Sequence, residues 1–579
     1  MKFTADFETT TDENDCRVWA FAICEIGNPS NFIYGNSIDE FMDWCADKRK
    51  NHTLYFHNLK FDGEFIIYWL LKNGFEHITD TKQKHDKTFT TLITDMGQFY
   101  SIDVYFEVKN ARHLNKVKFL DSLKILNFSV DQIAKDFHLP IQKLELDYKE
   151  KRPIGHQLTE HEVAYIRNDV EIMARALQIM FNEELTKMTI ASDALNDFKS
   201  TCPNFRDLFP VLPIEIDRDI RQSYKGGFTY LNPIYKEKET GAGIVFDSNS
   251  MYPARMYNEV LPYSDPIFFE GQYKPDPLYP LYVQQLTCEF ELKKGKIPSI
   301  QIKHNSFFIP NEYVESSDGV EVTLVLTSVD LELFFENYNV TNITYHSGWK
   351  FKGTTGIFKT YIDKWTASKI QAKKDGNFAL YRISKLMLNS LYGRFGLNGN
   401  SRKKIPKVAE HGKVGYEIGA LEERKTVYVA MASFITSYAR ANIIRASEAI
   451  REYSMKKYGF DAYVYSDTDS IHCLLNQEDV KELSKTMDID DYKLGSWKLE
   501  STYVRGKYLR QKCYIEQESY DSQISVTVAG FPKRLAPCVT FENFKIGFTT
   551  EGMDLADRKL TYKHVEGGVI LVDTDFTIK

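Results

Sequence analysis

Tyr465-Ser466-Asp467-Thr468-Asp469-Ser470 sets two carboxylates one residue apart between two strand-like runs. The flanks Ala462-Tyr463-Val464-Tyr465 and Ser470-Ile471-His472-Cys473-Leu474 are β-branched, aromatic or alternating, which predicts a hairpin with Asp467 and Asp469 projecting from its turn. A hard divalent cation suits such a tip. Mg²⁺ takes one or two carboxylates and leaves its other positions to water and substrate phosphates, a preference that points to phosphoryl transfer. By itself the pattern is more often a plain Asx-turn, so partner carboxylates elsewhere in the chain have to decide.

One partner lies upstream, where the apolar run Ile244-Val245-Phe246 ends in Asp247-Ser248-Asn249-Ser250-Met251-Tyr252-Pro253. Two metals about 3.5–4 Å apart, clamped by carboxylates from separate strands, activate a nucleophile and neutralise a leaving pyrophosphate. Asp247, Asp467 and Asp469 supply that set, although Asp247 alone would also serve as a cap for the next turn. Between the two carboxylate positions, Lys385-Leu386-Met387-Leu388-Asn389-Ser390-Leu391-Tyr392-Gly393 has helical periodicity, with Lys385, Asn389 and Tyr392 on one face. That face offers a cation for a triphosphate, an amide, and a ring for a base or sugar. Core packing accounts for the apolar residues of the run but not for the lysine.

A second carboxylate set occupies the N-terminal third. Asp6 and Glu8 are two apart on an alternating strand and share a face. Asp62 follows His57-Asn58-Leu59-Lys60-Phe61 at a helix start, and Tyr165 and Asp169 are four apart on a helix opened by the capping box Thr159-Glu160-His161-Glu162. Four carboxylates and a phenol from three elements would hold two metals and orient water for phosphodiester hydrolysis. Each has a plainer reading: Asp62 near a helix N-terminus would gain about 0.3–1 kcal/mol from the dipole, and Asp169 would be surface.

The bulk composition frames both sites. A chain of 579 residues with 43% hydrophobic and 14% aromatic content holds several domains with real cores. It has no long apolar run and no apolar signal core after Met1, so a soluble intracellular protein is expected. Eight scattered cysteines without a Cys-x-x-Cys pair read as reduced, buried thiols. The net charge of −7 hides basic stretches: seven lysines between Lys350 and Lys374 against one acid, with Tyr361 and Trp365 among them, suit a groove that tracks a nucleic-acid strand or a solvated helix face. Arg402-Lys403-Lys404 with Lys407 forms a second basic cluster in a loop-like region. Residues 1 to about 190 read as an α/β unit, Cys202 to Pro213 as a boundary, residues beyond about 215 as α+β, and 396–428 as a protruding hairpin.

Taken together, Asp247 to Pro253, Lys385 to Gly393 and Tyr465 to Asp469 resemble, in order, motifs A, B and C of family B DNA polymerases. Their wording resembles the protein-primed branch, the phi twenty-nine type of small Bacillus phages. Asp6, Glu8, Asp62, Tyr165 and Asp169 resemble the exonuclease motifs of DnaQ-like proofreading domains. The resemblance runs from Asp6 to the tail Val569 to Lys579. It implies an RNase H-like exonuclease domain at 1–190 and a right-hand polymerase domain at 191–579. Within the latter, palm is expected at about 191–258, 357–365 and 426–530, fingers at about 366–395, thumb at about 531–579, and insertions at about 259–356 and 396–425.

For single residues, the resemblance implies Asp247 and Asp469 as principal metal ligands, Asp467 nearby and the Ser248 carbonyl assisting. Asp6, Glu8, Asp62 and Asp169 become ligands of the second site, each site holding two Mg²⁺, with Mn²⁺ able to substitute. Tyr165 would position the attacking water and Lys143 assist it. Lys385, helped by Lys369, would hold the triphosphate, Tyr252 would exclude a ribose 2′-hydroxyl, and Asn389 and Tyr392 would shape the nascent pair. Thr9, Asn58, Phe61, Ser122, Leu123 and Tyr148 match contacts to a frayed primer strand, with core packing an equal reading for Phe61 and Leu123. Tyr224, Gly226 and Gly227 match a template-contacting linker, and Lys512 and Tyr514 a strand whose two side chains face the primer terminus. Ser466 stands where cysteine is frequent and Tyr381 where a lysine is expected. The implied activity is DNA-templated DNA synthesis begun on a terminal protein, with strand displacement and 3′–5′ proofreading, by a monomer in the host-cell cytoplasm. Its implied partners are template-primer DNA, deoxynucleoside triphosphates and a viral single-stranded-DNA-binding protein. A plasmid or repair polymerase using an ordinary primer remains the alternative. A reverse transcriptase is disfavoured by the Lys385 helix and the N-terminal set, and a non-enzymatic DNA binder would not need seven placed carboxylates.

Overall fold

Phe3, Ala5 and Phe7 alternate with Thr4, Asp6 and Glu8 on the strand Lys2–Thr9, but the polar face does not look to solvent. The capped helix Glu160–Asn182 covers it, and the Thr4 hydroxyl donates to the Val170 carbonyl at 2.7 Å. The computed structural model describes the chain except for residues 48–50, 109–112, 149, 304–306 and 554–557. Lys2–Thr9 sits inside an eight-stranded sheet, paired antiparallel with Val18–Glu25 and parallel with His52–Phe56. The expected capping box is present: Thr159 accepts from the Glu162 N–H and the Glu162 carboxylate from the Thr159 N–H. Ile166, Val170, Met173, Leu177 and Met180 form the buried stripe.

Cys202 to Pro213 is not a linker. Phe205, Phe209 and Leu212 are buried, and Phe209 packs on Phe358, Phe395 and Tyr428 in a core continuous with Tyr55 and Leu120 of the N-terminal unit. Prolines end helices there, but the aromatic side chains decide burial.

The second half centres on a five-stranded antiparallel sheet ordered Trp497–Tyr503, Gly243–Ser248, Ser470–Cys473, Tyr463–Asp467, Thr229–Leu231. It packs on the long helix Val429–Tyr458. The helices Lys359–Lys374 and Phe378–Phe395 pack together, tied by the Tyr361 hydroxyl donating to the Met387 carbonyl at 2.8 Å. This corrects the basic-aromatic reading of 350–374. Tyr361 and Trp365 face the core, with the Trp365 indole N–H on Asp197, and Lys350 and Lys352 lie on the strand Tyr338–Thr354. Aromatics at helical spacing here are packing, not a stacking platform. A four-stranded sheet, Leu261–Glu270, Tyr338–Thr354, Leu281–Leu292 and Val322–Thr327, forms a satellite with its own core. All eight cysteines are unbridged, seven of them buried.

The hairpin expected within 396–428 is formed by Lys404–Val408 and Val414–Ile418. Its basic cluster is only partly in a loop: Arg402 and Lys403 precede the first strand, Lys404 and Lys407 lie on it, Lys403 pairs with Glu422, and Lys407 pairs with Glu417. A C-terminal hairpin, Lys559–Val565 and Gly568–Thr574, docks beside it on the helix Leu59–Lys72. Gly568 has φ +154 and lies so close to Phe65 that a Cβ would stand 2.6 Å from the ring. Glu64, buried, joins the three elements: it accepts from the Tyr416 hydroxyl at 2.8 Å and from His564 Nε2 at 3.1 Å. Glu64→Ala is expected to cost ~1–3 kcal/mol by leaving these donors unpaired, and to open residues 559–574 to hydrogen exchange before the rest of the chain. Its hydrogen bond to Glu64 raises the His564 pKa. The part of the clasp that depends on the His564 charge is therefore fully present just below pH ~6.5 and is lost as pH rises through that raised value, while the Tyr416 bond stays. Exchange in this hairpin that is indifferent to both the substitution and pH would refute the clasp.

Two candidate metal sites

The N-terminal carboxylates converge. Ligand oxygens of Asp6, Glu8 and Asp169 all lie within 4.8 Å of one another, from the central strand and the capped helix. Asp62, in the first turn of Leu59–Lys72, is buried; its charge adds to the rise of Glu8, and the Asp6 charge adds to its own. Burial, then Asp169, pushes Asp6 up to about 7, and burial first among the causes raises Glu8, Asp62 and Asp169. Among the described residues one cation faces them, Lys143 Nζ, 2.5 Å from Asp169 Oδ2, and Oδ1 of Asp62 and Oδ1 of Asp169 are buried without a hydrogen-bond partner. Clustered, under-compensated carboxylates are the donor set of a hard divalent cation. The Tyr165 and Tyr148 hydroxyls meet at 2.5 Å beside them.

Around this cluster the structure places the other N-terminal residues. Asn58 has φ +80. Thr9 ends the central strand, and Phe61 and Leu123 are half-buried. Ser122 is buried, its hydroxyl donating to the Phe56 carbonyl and lying 3.0 Å from His57 Nδ1, so its side chain braces the wall from within. Sequence reading missed Asp121. Its buried Oδ1 accepts the N–H groups of Asn58, Leu59 and Leu123 at 3.1, 3.3 and 3.0 Å and clamps both wall segments. Asn58 Nδ2 donates to the Tyr562 hydroxyl of the C-terminal hairpin at 3.1 Å.

At the second site, register assembles the carboxylates. Asp247 pairs with Ser470, next to Asp469 in the turn, and the Ser248 N–H donates to the Asp469 carbonyl at 2.8 Å. Thr468 turns the tip with φ +62, its N–H on the Phe228 carbonyl. Asp467 accepts from Thr229 Oγ1 at 3.3 Å and faces Lys512 Nζ at 3.5 Å. Among the described residues these three carboxylates do not close to the spacing of the first cluster. They still feel each other: burial, then Asp469, raises Asp247 to about 6. Partial loss of solvent raises Asp469, with Lys385 opposing. Carboxylates converging from two strands, with lysines rather than apolar groups around them, fit a divalent cation here too.

Above them Tyr252 stacks on Tyr392, ring centroids 4.0 Å apart and 21° from parallel. Lys385 and Asn389 are exposed on the same helix, and Lys369 is half-buried. Burial, then Lys385, lowers the Lys369 pKa. Gly227 is needed by the protein itself, since a Cβ would stand 2.9 Å from the Tyr252 hydroxyl. Gly226 has open space, and Arg440 anchors it by donating to the Lys225 and Gly226 carbonyls at 2.9 Å each. Tyr224 packs beneath Gly396. The Lys512–Tyr514 reading needs correction: Lys512 is not on the strand Cys513–Gln517 but in the turn before it, with φ +54. From there its ammonium reaches Asp467, while Tyr514 packs on the Tyr465 ring. Ser466 is fully buried, its hydroxyl 3.0 Å from Tyr463 and 3.3 Å from Ser447, which gives serine a hydrogen-bonded place there. Tyr381 is half-buried.

Residues 45–486 match the family described as DNA polymerase type B, organellar and viral. The chain is 46% identical to the DNA polymerase of Bacillus phage B103, covering all of this chain and 99% of that one. It is 33% identical to the DNA polymerase of Streptococcus phage Cp-1, covering all of this chain and 98% of that one. A solved structure of phi29 DNA polymerase with primer-template DNA and incoming nucleotide superimposes with a TM-score of 0.91 at 44% identity, covering both chains completely. The α/β plus α+β architecture expected from the sequence is borne out by that match.

Proposed function

This chain belongs to the organellar and viral type B DNA polymerases and is a DNA-directed DNA polymerase; on that footing we propose that it starts synthesis on a terminal protein, displaces the strand ahead and proofreads with a 3′–5′ exonuclease. The observation that carries the polymerase reading is the register that brings Asp247 of one strand beside the hairpin of Asp467 and Asp469, next to the Tyr252–Tyr392 stack. Mg²⁺ or Mn²⁺, held by Asp247, Asp469 and the Ser248 carbonyl with Asp467 beside them, and by Asp6, Glu8, Asp62 and Asp169 at the other site, would activate the attacking oxygen and neutralise the leaving one.

The chain's own groups do the rest. Lys385 and Lys369 bind the triphosphate tail, and the stacked tyrosines form the floor for sugar and base. In the exonuclease, the Tyr165 hydroxyl and Lys143 orient the attacking water while Asn58, Phe61, Leu123 and Tyr148 hold the frayed strand. Tyr252 fills the space a 2′-hydroxyl would need, so Tyr252→Val is expected to raise ribonucleotide incorporation about a hundredfold relative to deoxynucleotide. An unchanged ratio of kcat/KM values would remove the gate from Tyr252.

Priming is tested by supplying template, one labelled deoxynucleotide and phage-lysate protein, then looking for label bound covalently to a protein. The expected adduct supports terminal-protein initiation. Its absence, with normal extension of an oligonucleotide primer, would favour the ordinary-primer alternative.

A further inference from the structure

Lys498 sits in no motif, yet the register of the central sheet brings it into the polymerase site. Trp497–Tyr503 runs antiparallel to Gly243–Ser248 and sets Lys498 directly opposite Asp247. Opposed residues of an antiparallel pair share a face, and the ammonium lies 3.5 Å from Asp247 Oδ2. On its other side is Glu500 Oε2, at 2.5 Å. Its charge reaches further. With Lys385 it opposes the rise in the Asp469 pKa, and with Lys385 and Lys373 it adds to the lowering of Lys369. Lys498 thus pairs with one metal-type carboxylate, and its charge is felt by Asp469 and by the triphosphate-type Lys369.

A half-exposed cross-strand ion pair contributes little to stability, and an ammonium held permanently on Asp247 would compete with any cation there. A lysine has a long flexible stem and a compact charge that changes partners readily. We propose that Lys498 is a third phosphate-binding cation of the nucleotide site, moving from Asp247 to the β- and γ-phosphates of the incoming triphosphate and staying with the pyrophosphate, while Glu500 restrains the ammonium between the two positions. In the reaction the primer 3′ oxygen bonds to the α-phosphorus, the bond from that phosphorus to the α,β-bridging oxygen breaks, and the hydroxyl proton passes to solvent. Pyrophosphate leaves with the bonding electrons, and Lys498 exchanges no bond; it neutralises charge gathering on the leaving group. The inference rests on the polymerase site described above.

The test compares Lys498→Ala, Lys498→Gln and Lys498→Arg in the full chain with primer-template DNA. It measures KM and kcat for a deoxynucleoside triphosphate, KM for pyrophosphate in the reverse reaction, and equilibrium dialysis of labelled triphosphate. Losing one charge-assisted contact is expected to raise both KM values and the dissociation constant about tenfold in Lys498→Ala and Lys498→Gln. The expected change in kcat is smaller, Lys498→Arg restores most of the binding, and single-strand degradation is unchanged, which shows that the variants are folded. Unchanged KM values and unchanged triphosphate binding in Lys498→Ala and Lys498→Gln would make Lys498 a strand-pairing residue and overturn the proposal. A wild-type chain that neither extends a primer nor reverses with pyrophosphate would overturn the polymerase site itself, a different result from unchanged KM values.

Discussion

Asp469→Asn is expected to lower deoxynucleotide incorporation by about a thousandfold or more while single-stranded DNA is degraded at the wild-type rate. Losing a metal-binding charge in a two-metal site removes several kcal/mol of transition-state stabilisation, and ~4 kcal/mol corresponds to about a thousandfold. The substitution is conservative in shape. The Asp469 carbonyl is pinned by the Ser248 N–H, Thr468 sets the turn, and neither contact uses the carboxylate. Asparagine therefore keeps the hairpin and removes one negative charge from Asp247, whose pKa is held at about 6 in part by that neighbour. The fold should be unharmed, so a fall in incorporation reads as chemistry. The N-terminal carboxylates come from a different sheet and from two helices, Leu59–Lys72 and Glu160–Asn182. Primer extension and decay of a labelled single strand, measured on the same preparation, separate the two activities. Simultaneous loss of both would sink the two-site reading.

What could be read from the sequence was whatever local chemistry repeats within a few residues. The Asp467-Thr468-Asp469 turn, the Thr159 capping box and the Asp6/Glu8 alternation each encode their geometry in adjacent side chains, and the structure has all three. Asp121, Glu64 and Lys498 did not stand out, because each gains its role only from a partner far along the chain. Asp121 needs Asn58 beside it, Glu64 needs two hairpins, and Lys498 needs the register that sets it against Asp247. The same limit misled the reading of Tyr361 and Trp365. Lysines around an aromatic resemble a strand-binding face until tertiary packing shows which side of the helix is covered. Nor did anything in the sequence signal that the missing side chain of Gly227 makes room for Tyr252.

Asp62→Asn is expected to reduce single-strand degradation about a thousandfold, leave primer extension intact, and make the chelated protein more stable. The last outcome follows from an arrangement that suits function at the expense of the fold. Among the described residues the four carboxylates face one lysine; burial raises all four pKa values, and a neighbouring carboxylate adds to the rise of Asp6, Glu8 and Asp62. A carboxyl whose folded pKa is raised contributes stability that is fully present below its unfolded value, 3.8 for Asp6, and is lost as pH rises through its folded value, about 7 for Asp6. In chelator the protein should therefore lose stability steadily between pH 4 and 7, and added Mg²⁺ should restore it by compensating the charges. Asparagine at 62 removes a buried carboxyl whose own pKa is raised and relieves Glu8, which its charge pushes up, and so flattens that slope and raises Tm in chelator. Mg²⁺ should then stabilise the variant less than the wild type. Thermal melts across this pH range, with chelator and with Mg²⁺, decide the matter. A variant that melts lower in chelator, with the wild-type slope retained, would show that Asp62 supports the fold rather than being held against it. Loss of primer extension in the same variant would show that the two sites are not independent.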